Sequence, residues 1–85
     1  NLREILDLTF SQFKMLNLLD LKNNQISTIY KKAFLNLNNL EILYLNQNYL
    51  KSLDFEPFKY VYNLKALYLD NLFLFQLDKN IFEEN

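Results

Sequence analysis

The sequence predicts a repetitive stacked coil, in which each turn contributes one short strand that lies parallel to the strand of the turn before. Three observations lead there. Leucines recur in a fixed pattern with a period of 24 residues; leucine and asparagine dominate, at 20 and 13 of 85 residues; and there is no glycine, with Pro57 the sole proline. A fold built on hairpins normally uses glycine where a turn needs positive φ. Asparagine is the next-best residue for left-handed backbone and for turn bonds from side chain to backbone. Leucine for a core and asparagine for corners point to many similar corners.

The frame can be followed residue by residue. Leu16 opens "LNLLDLKNNQISTIYKKAFLNLNN", Leu40 opens "LEILYLNQNYLKSLDFEPFKYVYN" and Leu64 opens "LKALYLDNLFLFQLDKNIFEEN". Position one is Leu16, Leu40, Leu64; position four Leu19, Leu43, Leu67; position six Leu21, Leu45, Leu69. Position eleven is Ile26, Leu50, Leu74, position fourteen Ile29, Leu53, Leu77, and position nineteen Phe34, Phe58, Phe82. The first fifteen residues extend the frame backwards. Leu2 and Ile5 take positions eleven and fourteen, Phe10 position nineteen and Phe13 position twenty-two. The whole of 1–85 thus reads as one segment: the end of a repeat (1–15), two full repeats (16–39 and 40–63) and a nearly complete one (64–85).

A helix does not suit this pattern. At about 100° per residue, 24 residues turn the apolar stripe to a different face in every copy. Positions four and six alternate with polar or exposed neighbours instead, which is the two-residue period of a strand. The rest of each copy returns the chain to begin the next parallel strand. Stacking buries the columns, since no unit can bury its own apolar face alone.

The motif "LxxLxLxxNxL" followed by "xxLxxxxFxxL" resembles the typical, 24-residue class of leucine-rich repeat. That resemblance implies an α/β solenoid: a curved coil with a short parallel β-sheet on its concave face and loops and short turns on its convex face. It also implies a column of packed phenylalanines, here Phe10, Phe34, Phe58 and Phe82. Repeats of this class are similar to those of Toll-type receptors and of secreted immune, matrix and adhesion proteins. The implied role is therefore protein binding, and the implied location extracellular or at the cell surface. The runner-up class is an intracellular scaffold, or the recognition arm of an enzyme whose catalytic domain lies outside this chain. Asn24 and Asn48, at position nine, are expected to turn inward and bond the backbone at the corner. Unpaired groups there would cost roughly 1–3 kcal/mol each. In the third copy Leu72 stands in that place, with Asn71 one residue early.

Composition narrows the function. A net charge of −1 and a pI near 5.2 offer no basic footprint for nucleic acid. No run approaches the ~18 apolar residues of a membrane span, and no signal peptide opens the chain. With neither His nor Cys there is no catalytic Ser–His or Cys–His pair and no zinc cluster. Without Gly there is no phosphate-cradling loop, and the carboxylates do not follow a calcium-loop spacing. Neither enzyme activity nor a cofactor or metal is expected. The chain starts at Asn, has no Cys-rich flank and shows no polar outer face at either end, so the rest of a solenoid is expected on both sides.

Binding is left to the sheet and its rim. In the implied geometry positions three, five, seven and eight project from the concave sheet: Leu18, Asp20, Lys22 and Asn23, then Ile42, Tyr44, Asn46 and Gln47, then Ala66, Tyr68, Asp70 and Asn71. Equivalent residues lie about 5 Å apart, which makes Tyr44 and Tyr68 an adjacent aromatic pair flanked by Asp20 and Asp70. Tyrosine supplies rigid area and a polar tip. At position ten, on the rim, the column runs Gln25, Tyr49, Phe73. The candidate contacts are thus Asp20, Lys22, Tyr44, Asn46, Tyr49, Tyr68, Asp70 and Phe73, for a protein, peptide or glycan ligand. Lys31 and Lys32 read as a solvated turn, and Pro57 as the fixed φ of a convex loop.

Overall fold

The computed structural model of the chain describes residues 2–50 and 56–69. Among the described residues five short strands follow in chain order: β1 (Glu4–Ile5), β2 (Leu18–Asp20), β3 (Thr28–Ile29), β4 (Ile42–Tyr44) and β5 (Ala66–Tyr68), with a 3-10 turn at Glu56–Tyr60 between the last two. They form two small parallel sheets, β2-β4-β5 and β1-β3. Leu18 pairs with Ile42 and Ile42 with Ala66; Leu19 with Leu43 and Leu43 with Leu67; Asp20 with Tyr44 and Tyr44 with Tyr68. Every partner is the residue one repeat further on. The leucine pattern is therefore the strand register.

Burial follows the pleat. Leu43, the middle residue of β4, is wholly buried, while Leu18 and Tyr68 are exposed on the outer face of the sheet. The strands are short because the backbone turns left-handed soon after them, at Asn23 (φ 61°) and Gln47 (φ 62°). Both occupy position eight. They are therefore corner residues that follow the strands, rather than residues projecting from the sheet as expected. Asn23 holds its corner by donating its N–H to the Asn46 carbonyl at 3.3 Å.

Behind the sheet the chain returns through overlapping three-residue turns. Phe13, Leu37 and Val61 donate their N–H groups to the carbonyls of Phe10, Phe34 and Phe58, and Leu16, Leu40 and Leu64 donate to Phe13, Leu37 and Val61. A turn with three residues per revolution eclipses residues three apart. Positions nineteen, twenty-two and one therefore fall on the same side and point into the core. Phe34 sits between Phe10 and Phe58, with ring centroids 6.3 Å and 5.6 Å away. This column was expected, and Phe82, its fourth member, lies outside the described residues. Pro57 is buried in the first turn of the 3-10 segment, where its fixed φ fits. No α-helix occurs among the described residues, whose backbone between the strands is turn, irregular and 3-10.

Two expectations need correction. The segment read as loop carries a second sheet: β1 and β3 pair Glu4 with Thr28 and Ile5 with Ile29, again one repeat apart. Phe13, assigned to the core, is 51% exposed, whereas Leu37 and Val61 at the same position are 0%. Phe13 belongs to the first described turn, whose outer side no described residue covers. A column is buried only where a second turn covers it.

Candidate functional site

The outer face of the three-stranded sheet carries four of the eight predicted contacts, Asp20, Lys22, Tyr44 and Tyr68. Tyr44 and Tyr68 stack at 4.6 Å between centroids with planes 13° apart. Lys22 Nζ lies 4.8 Å from the Tyr44 centroid. Asp20 ties down the other end: its Oδ1 accepts the Lys22 backbone N–H at 3.0 Å and its Oδ2 is 3.8 Å from Nζ. The row across the strands reads carboxylate, ammonium, ring, ring. Such exposed ion pairs contribute little to stability, roughly 0–1 kcal/mol. Their effect is to fix the orientation of Lys22 against the first ring.

The stack also decides what the face presents. Lys22 and Tyr68 take the two faces of the Tyr44 ring, so Tyr44 offers solvent its edge and hydroxyl. Tyr68 remains 47% exposed. Asn46, expected as a surface contact, is half-buried, and its side-chain oxygen is buried without a hydrogen-bond partner among the described residues. On the rim, Tyr49 is 59% exposed while its N–H is fixed to the Ile26 carbonyl at 2.8 Å. Asp70 and Phe73 lie outside the described residues, as do Leu72 and Asn71.

The corners that hold this face are built by the two position-nine asparagines. Asn48 Oδ1 accepts the Ile26 N–H at 3.0 Å, and its Nδ2 donates to the carbonyls of Leu21, Leu45 and Asn46. Asn24 Oδ1 accepts the Leu2 N–H at 3.3 Å, and its Nδ2 donates to Leu21 and Lys22. The Leu21 carbonyl receives both asparagines, which links successive corners directly.

A second asparagine column escaped sequence reasoning. At position twenty-four, Asn39 Nδ2 donates to the Lys14 carbonyl at 2.9 Å, and Asn63 Nδ2 donates to the Asn38 carbonyl. The signal was present, since Asn closes both full repeats. The acceptor is a backbone carbonyl of the preceding turn, which no side-chain pattern reveals.

Among the described residues no group of His, Cys, Asp or Glu side chains converges as a metal site, and no helix is long and apolar enough to cross a membrane. Lys59, whose pKa is raised first by its hydrogen bond to Glu56, lies on the 3-10 turn behind the sheet.

Identical rungs spaced by one repeat, locked by side-chain amides at each corner, define a tandem-repeat protein with an exposed parallel-sheet face. A family model for leucine rich repeat matches residues 1–50, and the chain belongs to the leucine-rich repeat family. The family implies a solenoid-type repeat fold, and its members serve in general as protein-binding modules. No curated protein and no solved structure matches the chain.

Proposed function

We propose that this chain is a protein-recognition segment whose contact surface is the outer face of the β2-β4-β5 sheet together with the adjacent rim at Tyr49. That face is taken as the concave side of a curved solenoid, and the chain acts by binding rather than catalysis. The observation that carries this reading is the ordered Lys22–Tyr44–Tyr68 stack on an exposed sheet. Two large rings held rigid before any encounter lose little entropy on contact. They present hydroxyls for which the described residues provide no partner. Both faces of Tyr44 are occupied, so ring stacking is left to Tyr68 alone, while the hydroxyls and ring edges suit a protein or peptide. The resemblance to typical-class repeats supports an extracellular or cell-surface setting, in a receptor or a secreted immune or adhesion protein.

The test is a selection of displayed peptides and small domains on the folded chain, repeated on the Tyr44→Ala/Tyr68→Ala double variant. Circular dichroism confirms that the variant is folded. A Tyr44→Phe/Tyr68→Phe control keeps the stack and removes only the hydroxyls. Binders that lose about tenfold or more on the Ala variant support the assignment, since interface aromatics commonly contribute 2 kcal/mol or more. Binders indifferent to both variants rule it out.

A further inference from the structure

Next to the sheet, on the rim, lies a half-open depression of about 320 Å³ lined by Arg3, Gln25, Ser27 and Tyr49. Its walls come from two positions of successive turns: ten supplies Gln25 and Tyr49, twelve supplies Arg3 and Ser27. The frame beneath is fixed by bonds between turns. The Ser27 N–H donates to the Arg3 carbonyl at 2.9 Å, Gln25 to Leu2 at 3.1 Å and Tyr49 to Ile26 at 2.8 Å. The side chains that line the depression therefore stand on a backbone already held in register.

The lining chemistry is one-sided. Arg3 is the only arginine in the chain. Lys22, Lys59 and Lys65 pair with Asp20, Glu56 and Glu41. Arg3 has no carboxylate at ion-pair distance among the described residues. Gln25 and Ser27 add an amide and a hydroxyl, Tyr49 adds a ring wall and a second hydroxyl, and among the described residues no acid lines the cavity. A guanidinium is a planar fork whose two parallel N–H bonds match a carboxylate, unlike the point charge of a lysine. The volume is at the low end for ligand cavities and leaves room for a carboxylate side chain beside the guanidinium.

We propose that this rim depression is a carboxylate-binding site that receives an acidic side chain of the protein partner. Arg3 supplies the bidentate contact, Gln25 and Ser27 the flanking donors, and Tyr49 the wall. The proposal rests on reading the rim as part of the partner surface, and it names that partner's chemistry: an Asp or Glu placed to one side of the residues that meet Tyr44 and Tyr68. A free small dicarboxylate shares the chemistry and is distinguished below.

Two measurements test it. In the first, the chain is titrated with N-acetyl-glutamate N-methylamide, with the glutamine analogue as the neutral control. Side-chain resonances of Arg3 and Gln25 and the Ser27 amide are followed by NMR. The acid is expected to shift all three saturably and the amide to leave them in place. Arg3→Gln weakens the acid about tenfold, and Arg3→Lys does so less, in keeping with the loss of a charge-assisted fork. Equal response to acid and amide, or an Arg3→Gln variant that titrates like the parent, overturns the site. In the second, peptides selected on the chain are re-tested on Arg3→Gln and in the presence of glutarate. A shared acidic position, lost on the variant and displaced by glutarate, supports the assignment. Selected peptides with no acidic position, beside an intact response to the acid, overturn the partner assignment in favour of a small dicarboxylate. Loss of the Tyr44–Tyr68 dependence with the acid response intact fails the sheet reading alone, so the two failures are distinguishable.

Discussion

Tyr44 and Tyr68, one repeat apart in sequence, lie face to face on neighbouring strands at 4.6 Å between ring centroids. An offset pair of this kind contributes about 0.5–1.5 kcal/mol beyond the area it buries. A double-mutant cycle with Tyr44→Ala and Tyr68→Ala, followed by urea unfolding, is expected to show a coupling of that size. The phenylalanine versions should unfold at the parent's midpoint, because the hydroxyls make no bond among the described residues. Strict additivity of the two alanine changes would show that the rings are neighbours without interaction.

Asn48 is expected to be among the most costly polar residues to replace. Asn48→Leu leaves the Ile26 N–H without its acceptor and takes a donor from three carbonyls, Leu21, Leu45 and Asn46. A fully buried group left unpaired costs about 1–3 kcal/mol, but these groups are only part-buried and the Asn46 carbonyl keeps the Asn23 N–H, so a total loss of about 2–4 kcal/mol is expected in the unfolding free energy. Hydrogen exchange at the Ile26 amide should accelerate in parallel. A variant with unchanged protection there would show that water replaces the carboxamide at no cost.

The phenylalanine column gives a graded expectation. Phe34 is fully buried between two rings, and Phe34→Ala should cost about 3–5 kcal/mol. Phe10 is only partly buried at the first turn, so Phe10→Ala should cost clearly less. Equal losses, measured by chemical denaturation, would contradict the burial gradient along the coil.

One pH dependence follows from the 3-10 turn. The Lys59 pKa is raised above its ordinary 10.5, first by the hydrogen bond to Glu56, then by the charges of Glu56 and Tyr60. A group whose pKa is raised on folding stabilises the fold fully below its unfolded value and loses that effect as pH climbs through the folded one. The pair at 2.7 Å is solvent-exposed, so the effect is small. The stability difference between the parent and Lys59→Met should be constant from pH 8 to 9, shrink as pH rises past 10.5 and disappear once pH exceeds the raised folded value. A difference that persists into strong alkali would assign the residue's contribution to its aliphatic stem.

Much of this was legible because the repeat writes each contact several times. Leu19, Leu43 and Leu67 announce a register that the strand pairing reproduces. Asn24 and Asn48 are corner residues for a reason that polarity and position state together. What escaped notice involves backbone partners. β1 and β3 are two residues each, too short for any periodicity, although Thr28 and Ile29 are β-branched. Asn39 and Asn63 bond carbonyls that carry no side-chain signature. Arg3 became a candidate only when Ser27, Gln25 and Tyr49 were found around it, because its neighbours in space come from the next turns of the coil.

The uniform offset between paired residues carries a consequence for how such a chain can change length. Removing a single residue between Ile29 and Leu40 would move Ile42, Leu43 and Tyr44 one step along β2 and turn their side chains to the opposite face, because strand side chains alternate with period two. Adding a whole 24-residue unit leaves every existing rung undisturbed and supplies new rungs of the same kind. Growth by duplication of entire units is therefore nearly neutral for this architecture, whereas a slip of one codon is a fault that the adjoining turns cannot absorb.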